Sequence, residues 1–376
     1  MDKNLTYPGA EEAMRKFAVE GCLKEIRPYG NGHINDTYLA VFQTGKGEEK
    51  RYILQRMNHN IFHNPPLLMK NVVDVTDYLR KKILAQGGDP ARETLNVVRT
   101  LGGASFYEDA GHNFWRVFLF VEGTRCLEQV ESARDFRDGG AAFGNFQKML
   151  AEYPAQQLHE TIPNFHNTPS RFRDFRKAVE ENRAGRAALA GPEIEFALAR
   201  EGEAAALTDL LDRGELPLRV THNDTKLNNI LFDQTTGKAL CIIDLDTVMP
   251  GLSLYDFGDS IRFGASTGAE DERDLSRVEL DLDLFDAFTE GFLKGCGGKL
   301  TQREVEMLPM GAKLMTYECG LRFLADFLEG DVYFKVHREN HNLDRARTQF
   351  KLVADMEKKW AQMASIVEKH RIQYNS

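Results

Sequence analysis

The sequence contains few cysteines, and their positions exclude two common ways of stabilising a small domain. Five cysteines occur in 376 residues; they are scattered, odd in number and form no C-x-x-C pair. Disulfide frameworks and structural zinc sites both need paired, closely spaced cysteines, so we expect neither. We interpret the cysteines as buried thiols in a reducing compartment.

Long apolar runs, an excess of basic charge and internal repeats are also absent from the sequence. No segment approaches the roughly 18 consecutive apolar residues that span a bilayer, and the first residues show no apolar core behind a basic flank. A net charge of -9 argues against binding of nucleic acid through a broad basic surface. We therefore expect a cytoplasmic protein that acts on neither membranes nor nucleic acids.

What is present is typical of a globular protein with more than one domain. Hydrophobic residues make up 42% and charged residues 28%, and this length suffices for two or three domains or for one two-lobed unit. Strand-like segments rich in β-branched and aromatic residues predict five strands in the first third. Apolar spacing over 65–84, begun by prolines, predicts a helix. We predict an N-terminal lobe over 1–123.

The remaining sequence, 124–376, is predicted to form a mainly helical lobe. Ser132 and Asp135 have the spacing of a capping box before an apolar helix, and an apolar stripe from Val353 to Ile366 predicts one long final helix. A non-helical island over 218–246 carries short apolar segments separated by turns. Polar residues at the ends of such strands are where ligands usually meet a rigid scaffold.

The most informative motif lies in this island and reads THNDTKLNNILFD, from Thr221 to Asp233. In one interpretation it is a polar turn, in which Asp and Asn side chains hydrogen-bond the local backbone. In the other, H-x-D followed five residues later by Asn is a phosphotransfer loop, with Asp224 as the base and Asn229 as a metal ligand. The spacing is compatible with both.

A second motif, ALCIIDLDTVMPG, places Asp244 at the end of an apolar strand. Such a strand presents a carboxylate at a fixed point, as magnesium requires. If the chain stays extended, Asp246 points to the same side and assists through water or a hydrogen bond; a structural turn residue is the alternative. The D-F-G that begins at Asp256 opens a predicted helix, so we assign Asp256 a structural role as acceptor for the backbone of the catalytic loop.

A third motif, IRPYGNGHINDTYLA, has the form strand, glycine turn, strand. Glycine allows close approach to nucleotide phosphates, although a hairpin without function has the same pattern. Its meaning comes from the order of parts: hairpin, third strand, helix, strands ending in FVEG, helices, H-x-D-x-x-x-x-N and strand-D-x-D, which is the kinase order. The residues assigned to the nucleotide are Ile26, Gly30, Gly32, Phe120 and Glu122.

Together these motifs resemble the aminoglycoside phosphotransferase and choline kinase superfamily and, more narrowly, the N-acetylhexosamine 1-kinases. The resemblance rests on five segments in order: PYGNGHINDTYL, RYILQRMN, LRVTHNDTKLNNIL, YDFGDSIRFGAS and ECGLRFLADFLEGDVYF. It implies an α+β, protein-kinase-like two-lobed fold. The small lobe would contain a mainly antiparallel five-stranded sheet, and the larger lobe would be rich in helices.

The resemblance also implies an activity. The γ-phosphate of ATP would pass to the anomeric hydroxyl of N-acetylglucosamine or N-acetylgalactosamine, in the presence of Mg²⁺. Asp224 would contact the sugar and accept the hydroxyl proton, while Asn229 and Asp244 would hold the ion. ATP and the sugar are the expected partners, and we expect a monomer.

For the sugar pocket, the resemblance implies His33, Phe263, Arg322 and Tyr333. Arg322 lies in an apolar helical sequence, where an unpaired guanidinium is costly. It therefore needs either a carboxylate partner, which would make it structural, or a ligand.

The sequence departs from the general kinase pattern at the third strand, where Gln55 occupies the position of the phosphate-binding lysine. Arg56 is a candidate for that contact, and the helix over 65–84 offers only Asn71 and Asp74 where kinases have a glutamate. Two alternatives follow. The chain could phosphorylate another small alcohol, such as an amino alcohol, a methylthioribose-like sugar or an aminoglycoside, or it could be a non-catalytic nucleotide-binding module.

Overall fold

The computed structural model describes residues 7–30 and 34–374. The chain forms two compact units, each assembled from several stretches of sequence. Unit 1 contains residues 1–125, 158–162 and 233–246, and unit 2 contains residues 126–157, 163–232 and 247–376. The lobe boundary after residue 123 stays a prediction.

Unit 1 is built around an antiparallel sheet. Five strands follow the order β1-β2-β3-β6-β4, and the short β5 pairs with β6. The strands are β1 (Cys22–Pro28), β2 (Asp36–Gln43), β3 (Glu49–Met57), β4 (Val97–Val98), β5 (Tyr107–Glu108) and β6 (Phe114–Leu119). The predicted antiparallel sheet is therefore confirmed, but it contains six strands instead of the predicted five.

Three helices accompany this sheet: α1 (Pro8–Met14), α2 (Pro65–Ala85) and α3 (Pro90–Glu93). The α1 residues Ala13 and Met14 are buried in a cluster with Leu54 and Val117 of the sheet. Helix α2 confirms the helix predicted over 65–84. It begins with two prolines, whose missing N–H groups have no partner in a first helical turn anyway, and the Asn64 side chain accepts a hydrogen bond from the Leu67 N–H.

Unit 2 is mainly helical. Its helices are α4 (Ala133–Leu150), α5 (Thr168–Glu181), α6 (Gly191–Leu198), α7 (Ala206–Asp212), α8 (Ser253–Gly264), α9 (Leu282–Cys296), α10 (Gln302–Glu306), α11 (Leu308–Glu329), α12 (His341–Lys358) and α13 (Trp360–Tyr374). Ser132 caps α4 as predicted, accepting a hydrogen bond from the Asp135 N–H. The single final helix predicted through Val353 and Ile366 is wrong, because α12 ends at Lys358 and α13 begins at Trp360.

Short strands interrupt the sequence where the non-helical island was predicted. Within the island they are β8 (Arg219–Thr221), β9 (Ile230–Asp233) and β10 (Ala239–Ile242). Strand β11 (Met249–Gly251) follows the island, and β7 (Thr124–Arg125) lies far earlier in the chain. Within unit 2, β8 pairs antiparallel with β11, so that Thr221 lies opposite Met249. This pair fixes the point at which the chain enters the THNDTKLNN loop.

Helices α4 and α9 approach each other closely because glycines face the opposite backbone. A Cβ atom on Gly291 would lie 1.9 Å from the carbonyl oxygen of Arg137, and one on Gly144 would lie 2.2 Å from that of Phe292. Any side chain at these positions would force the helices apart. Helix α4 is thereby held in a fixed position in unit 2.

The burial of the cysteines and the character of the helices were also predicted from the sequence. Cys241 and Cys296 are buried, but Cys22 and Cys126 are exposed, so the interpretation of all five cysteines as buried thiols is wrong. Of the helices in the described part of the chain, none combines the length and the apolar character that crossing a membrane requires.

Candidate active site

The loop between β8 and β9 carries the predicted base, and its backbone is unusual at the preceding residue. Asn223 has a φ of 64°, in the left-handed region that Asn tolerates better than most residues. A single helical turn, Leu227–Asn229, leads from the loop into β9. His222, before Asn223, is fully buried, with its ring centre 5.7 Å from that of Phe143 and 6.0 Å from that of Phe146.

Helix α8 fixes this loop by accepting its backbone N–H groups. The Asp256 carboxylate accepts from the N–H of His222 at 3.0 Å and from the N–H of Asn223 at 2.8 Å. One turn later, Asp259 accepts from the N–H of Thr225 at 3.0 Å. The structural role predicted for Asp256 is confirmed, and its position inside α8 agrees with the predicted helix.

Side chains complete the attachment of the loop to α8. The Thr225 hydroxyl donates to the carbonyl of Asp256 at 2.6 Å, and the Ser260 hydroxyl donates to the carbonyl of Thr225 at 2.7 Å. Gln147 of α4 donates from one amide to both Asp256 and the carbonyl of Val220. Burial raises the pKa of Asp256 and outweighs the charge of His222, the His222 and Asn223 N–H groups and the Gln147 amide, which act in the opposite direction. The loop therefore has little freedom to rearrange.

Asp224 lies between a lysine and an amide. Lys226 Nζ is 2.7 Å from Asp224 Oδ1, and the Asn229 side-chain N–H₂ donates to Asp224 Oδ2 at 3.1 Å and to the Asp224 carbonyl at 2.8 Å. Burial works against the charged carboxylate, but the Lys226 charge outweighs it and lowers the pKa of Asp224. The charge of Asp224 in turn raises the pKa of Lys226. The sequence analysis missed Lys226, although the D-x-K spacing was visible.

The residues predicted to bind Mg²⁺ offer oxygen atoms, as this ion prefers. Asn229 uses its amide nitrogen for both hydrogen bonds to Asp224, so its amide oxygen is the atom that would bind a cation. Asp244 follows β10 and has a φ of 59°, which turns the chain sharply at the carboxylate. The chemistry of both side chains fits a magnesium ion.

Arg322 of α11 lies among aromatic rings, as a ligand-binding guanidinium would. Its guanidinium carbon is 5.3, 5.8 and 5.4 Å from three ring centres, those of Phe165, Tyr333 and Phe334. In residues 7–30 and 34–374, no carboxylate or carbonyl accepts a hydrogen bond from Arg322. The carboxylate partner that would make it a structural residue is therefore missing from the described chain.

A second guanidinium, that of Arg171 on α5, faces this cluster and was missed by the sequence analysis. Burial, and then the nearby positive charge of Arg322, lower the pKa of Arg171. The Arg171 side chain donates to the carbonyl of Phe165 at 3.2 Å. We use the name arginine cluster for Arg171, Arg322, Phe165, Tyr333 and Phe334.

Asp326 and Glu318, which lie on the same helix as Arg322, order the surroundings of the arginine cluster. Asp326 Oδ1 accepts from the N–H of Tyr333 at 2.7 Å and so fixes the segment that carries this ring. The Glu318 carboxylate is 2.8 Å from His166 Nδ1, and His166 Nε2 is 3.3 Å from the carbonyl of Asn223. These contacts connect the arginine cluster to the loop of Asp224 within unit 2.

The other residues predicted for the sugar occupy less informative positions. Phe263 lies in the last turn of α8 and is half-buried. His33 lies outside the described residues, as does Gly32 of the predicted nucleotide site.

In unit 1, the structure brings together part of the predicted nucleotide site. The Phe120 ring lies 5.9 Å from the Tyr29 ring and 4.3 Å from the guanidinium carbon of Arg51, which also pairs with Glu122. Gly30, which follows Tyr29 in the chain, has a φ of 79°. Glycine adopts this conformation without strain. Ile26 is buried within β1. The contacts of Arg51 and Tyr29 with Phe120 were not anticipated from the sequence.

The extended conformation considered for the D-x-D segment is wrong. Asp244 has a positive φ, and Leu245–Thr247 form a single helical turn. Asp246 is buried and forms an ion pair with Arg116, whose guanidinium Nη1 is 2.5 Å from Asp246 Oδ1. The alternative interpretation, a structural turn residue, is the one that agrees with this geometry.

The residues considered as substitutes for the strand lysine and for the helix glutamate of other kinases have partners within the protein. Arg56 of β3 pairs with Asp36 of β2, and both side chains are exposed near the ends of their strands. Asn71 of α2 donates to the carbonyl of His159 at 2.7 Å, and Asp74 pairs with Lys70.

Solved structures of kinases share this fold. A microcompartment-associated aminopropanol kinase is 16% identical, with a TM-score of 0.61 over 95% of this chain and 98% of that chain. An aminoglycoside phosphotransferase from Alicyclobacillus acidocaldarius is 15% identical, with a TM-score of 0.61 over 99% of this chain and 98% of that chain. A spectinomycin phosphotransferase in complex with ADP and spectinomycin is 13% identical, with a TM-score of 0.53 over 92% and 94%. The predicted α+β, kinase-like fold is confirmed.

The sequence itself carries the signature of a family. The profile described as the APH phosphotransferase enzyme family matches residues 25–288, which is more than half of the chain. That range includes all but the first three residues of the β1–β2 hairpin, the Asp224 loop, the D-x-D segment and α8. The chain therefore belongs to the APH phosphotransferase enzyme family and is a small-molecule phosphotransferase.

Proposed function

We propose that this phosphotransferase transfers the γ-phosphate of ATP to the anomeric hydroxyl of an N-acetylhexosamine, with Asp224 as the general base. The observation that carries the proposal is the arrangement of Asp224, Lys226 and Asn229 in a loop whose backbone is fixed by α8. A base held in one position can meet a hydroxyl at hydrogen-bond distance without rearrangement.

The chemistry suits an anomeric hydroxyl. A hemiacetal hydroxyl is more acidic than an ordinary alcohol, so a carboxylate with a lowered pKa is still an adequate proton acceptor. Lys226 keeps Asp224 ionised and therefore ready to accept the proton. Most of the rate must come from positioning and from neutralisation of phosphate charge. Mg²⁺ held by Asn229 and Asp244 would supply part of that neutralisation.

The arginine cluster supports a neutral, hydroxyl-rich acceptor. Arg322 has aromatic neighbours but no protein acceptor in the described chain, so its N–H groups are available to the oxygen atoms of a ligand. Arg171 adds a second guanidinium, and its pKa is lowered by burial and then by the nearby charge of Arg322. Hydroxyl and acetamido oxygens would accept hydrogen bonds from such a site, and aromatic rings suit the less polar faces of a sugar.

The main alternative is another small-alcohol kinase of the same superfamily. One similar structure is that of an aminopropanol kinase, and an amino alcohol is a reasonable acceptor for the fold. An ammonium ion, however, would be repelled by two neighbouring guanidinium groups. The arginine cluster therefore favours the sugar over the amino alcohol. A non-catalytic module would have no chemical need for the Asp224, Lys226 and Asn229 arrangement.

The test is a panel of acceptors incubated with the purified protein, ATP and MgCl₂. The panel contains N-acetylglucosamine, N-acetylgalactosamine, 1-amino-2-propanol, ethanolamine and an aminoglycoside, and ADP release is measured for each. We expect release with the N-acetylhexosamines, and a phosphorus NMR signal coupled to the anomeric proton of the product. Release only with an amine would replace this proposal by the alternative, and phosphate on carbon six would refute the anomeric assignment.

A further inference from the structure

A polar row crosses the sheet of unit 1 where the strand lysine of other kinases is missing. Thr37 of β2 lies opposite Gln55 of β3, and Gln55 lies opposite Arg116 of β6. Side chains at directly opposed positions of an antiparallel sheet project from the same face. The three residues therefore form one row, and hydrogen bonds run along it.

Each link in this row has a clear geometry. Gln55 Nε2 donates to the Thr37 hydroxyl at 3.0 Å, and Arg116 Nε donates to Gln55 Oε1 at 3.0 Å. Arg116 is only 1% exposed, and its neighbours in the sequence, Trp115 and Val117, are also buried. Its guanidinium lies over the Phe118 ring, 5.1 Å from the ring centre. A buried guanidinium requires a charged or strongly polar partner.

That partner is Asp246, two residues after the proposed metal ligand Asp244. Arg116 Nη1 is 2.5 Å from Asp246 Oδ1, and Asn35 Nδ2 donates to Asp246 Oδ2 at 2.7 Å. Asn35 is itself held, because its side-chain oxygen accepts from the Asn58 N–H at 2.9 Å. One oxygen of Asp246 is therefore in an ion pair with Arg116 of β6, and the other accepts a hydrogen bond from Asn35, which directly precedes β2.

This attachment matters because of the backbone at Asp244. Its φ of 59° is unfavourable for a residue with a side chain, so the surrounding structure must impose it. The turn that follows, Leu245–Thr247, is short and contains Asp246. Fixing Asp246 therefore also fixes the direction in which the Asp244 carboxylate leaves the chain.

We propose that Arg116 is a positioning residue for the metal site: by pairing with Asp246 it holds the turn that presents Asp244 to a divalent cation. Gln55 orients the guanidinium by accepting a hydrogen bond from it, whereas a lysine at this position would place a second cation beside Arg116. The inference rests on the proposed function only in taking Asp244 as a ligand of the ion. It does not depend on the identity of the acceptor.

The experiment measures binding of Mn²⁺ in the presence of ADP, by electron paramagnetic resonance, with no acceptor present. In Arg116→Met we expect the affinity for Mn²⁺ to fall about 10- to 100-fold, the usual effect of removing a group that orients a metal ligand. Hydrogen exchange of the backbone over 243–248 should accelerate in the same variant. The matched control is Arg99→Met, which removes an exposed arginine from the same unit.

Two further variants keep the test decisive if Arg116→Met does not fold. Arg116→Met combined with Asp246→Asn removes both charges and leaves no unpaired ion, so it should fold and show the same loss of Mn²⁺ affinity. Gln55→Lys combined with Arg116→Met moves the cation to the opposite residue of the row and should restore most of that affinity. Wild-type affinity in the folded variants without Arg116, or no Mn²⁺ binding by the wild type, would overturn the inference. Normal Mn²⁺ binding without phosphorylation of any N-acetylhexosamine would instead refute the proposed function alone.

Discussion

Lys226 Nζ lies 2.7 Å from one oxygen of Asp224, and the Asn229 amide donates to the other oxygen. The proposed base is therefore charged and hydrogen-bonded before any substrate arrives. A cation this close makes the carboxylate a weaker base but guarantees that it is ionised. The balance between these two effects leads to the first prediction.

Lys226→Met should move the acidic limb of the pH profile to higher pH. Lys226 lowers the pKa of Asp224, and Asp224 can accept a proton only above that pKa. Removing the lysine therefore raises the pH at which activity appears, as measured by kcat/KM for the acceptor. Lys177→Met is the control, since Lys177 is exposed on α5. An acidic limb that stays at its wild-type position would contradict the pairing.

Asp224→Asn should abolish most turnover while leaving ATP binding intact. The amide has nearly the same shape but cannot accept the proton, and loss of a general base typically lowers the rate about 10²- to 10⁴-fold. Single-turnover rates and ATP affinity by calorimetry separate the two effects. Asp209→Asn, an exposed position on α7, controls for the change of charge. Near-normal turnover would dismiss Asp224 as the base.

Asp256→Ala should destabilise unit 2 rather than act only on catalysis. The substitution leaves the buried N–H groups of His222 and Asn223 without their acceptor, at a cost of about 1 to 3 kcal/mol for each group. The free energy of unfolding from urea titration should fall accordingly, whereas Asp212→Ala on the surface should change little. An unchanged free energy would show that the loop does not depend on α8.

Arg322→Met should weaken binding of the acceptor without affecting the nucleotide. A hydrogen bond from a charged group contributes about 1.5 to 3 kcal/mol, so KM for the N-acetylhexosamine should rise about 10- to 100-fold. KM for ATP should remain at the wild-type value. Arg173→Met, an exposed arginine on α5, is the matched control. Equal changes in both KM values would indicate a structural role for Arg322.

Several helices and strands, and the loop that carries Asp224, could be predicted because they depend on local sequence. The prolines at the start of α2, the cap at Ser132 and the apolar strands around the Asp224 loop act over a few residues, and the structure contains each of them. The role of Asp256 followed from its position at the start of a helix rather than at the end of a strand. Local patterns therefore identified both the loop and the helix that holds it.

The parts that sequence analysis missed depend on distant contacts. Arg116 and Asp246 are far apart in the chain, and the periodicity of β6 gives no sign that one of its residues carries a buried charge. Arg171 was missed for the same reason, because its place in the arginine cluster depends on its proximity to Arg322 on another helix. The division between α12 and α13 was missed because the connecting residue, Lys359, is neither glycine nor proline, the residues that most often end a helix.

The glycine contact between α4 and α9 has a consequence for how substitutions would act on this enzyme. Gln147, on the same helix as Gly140 and Gly144, bonds to Asp256, and a Cβ atom on either glycine would lie within 2.5 Å of a backbone carbonyl oxygen of α9. A methyl group added at Gly140 or Gly144 would therefore push α4 away from α9 and shift Gln147. The Asp224 loop, which Asp256 holds, would be displaced although the new group does not touch Asp224. Substitutions at these glycines should therefore lower turnover in the same way as a substitution of the base would.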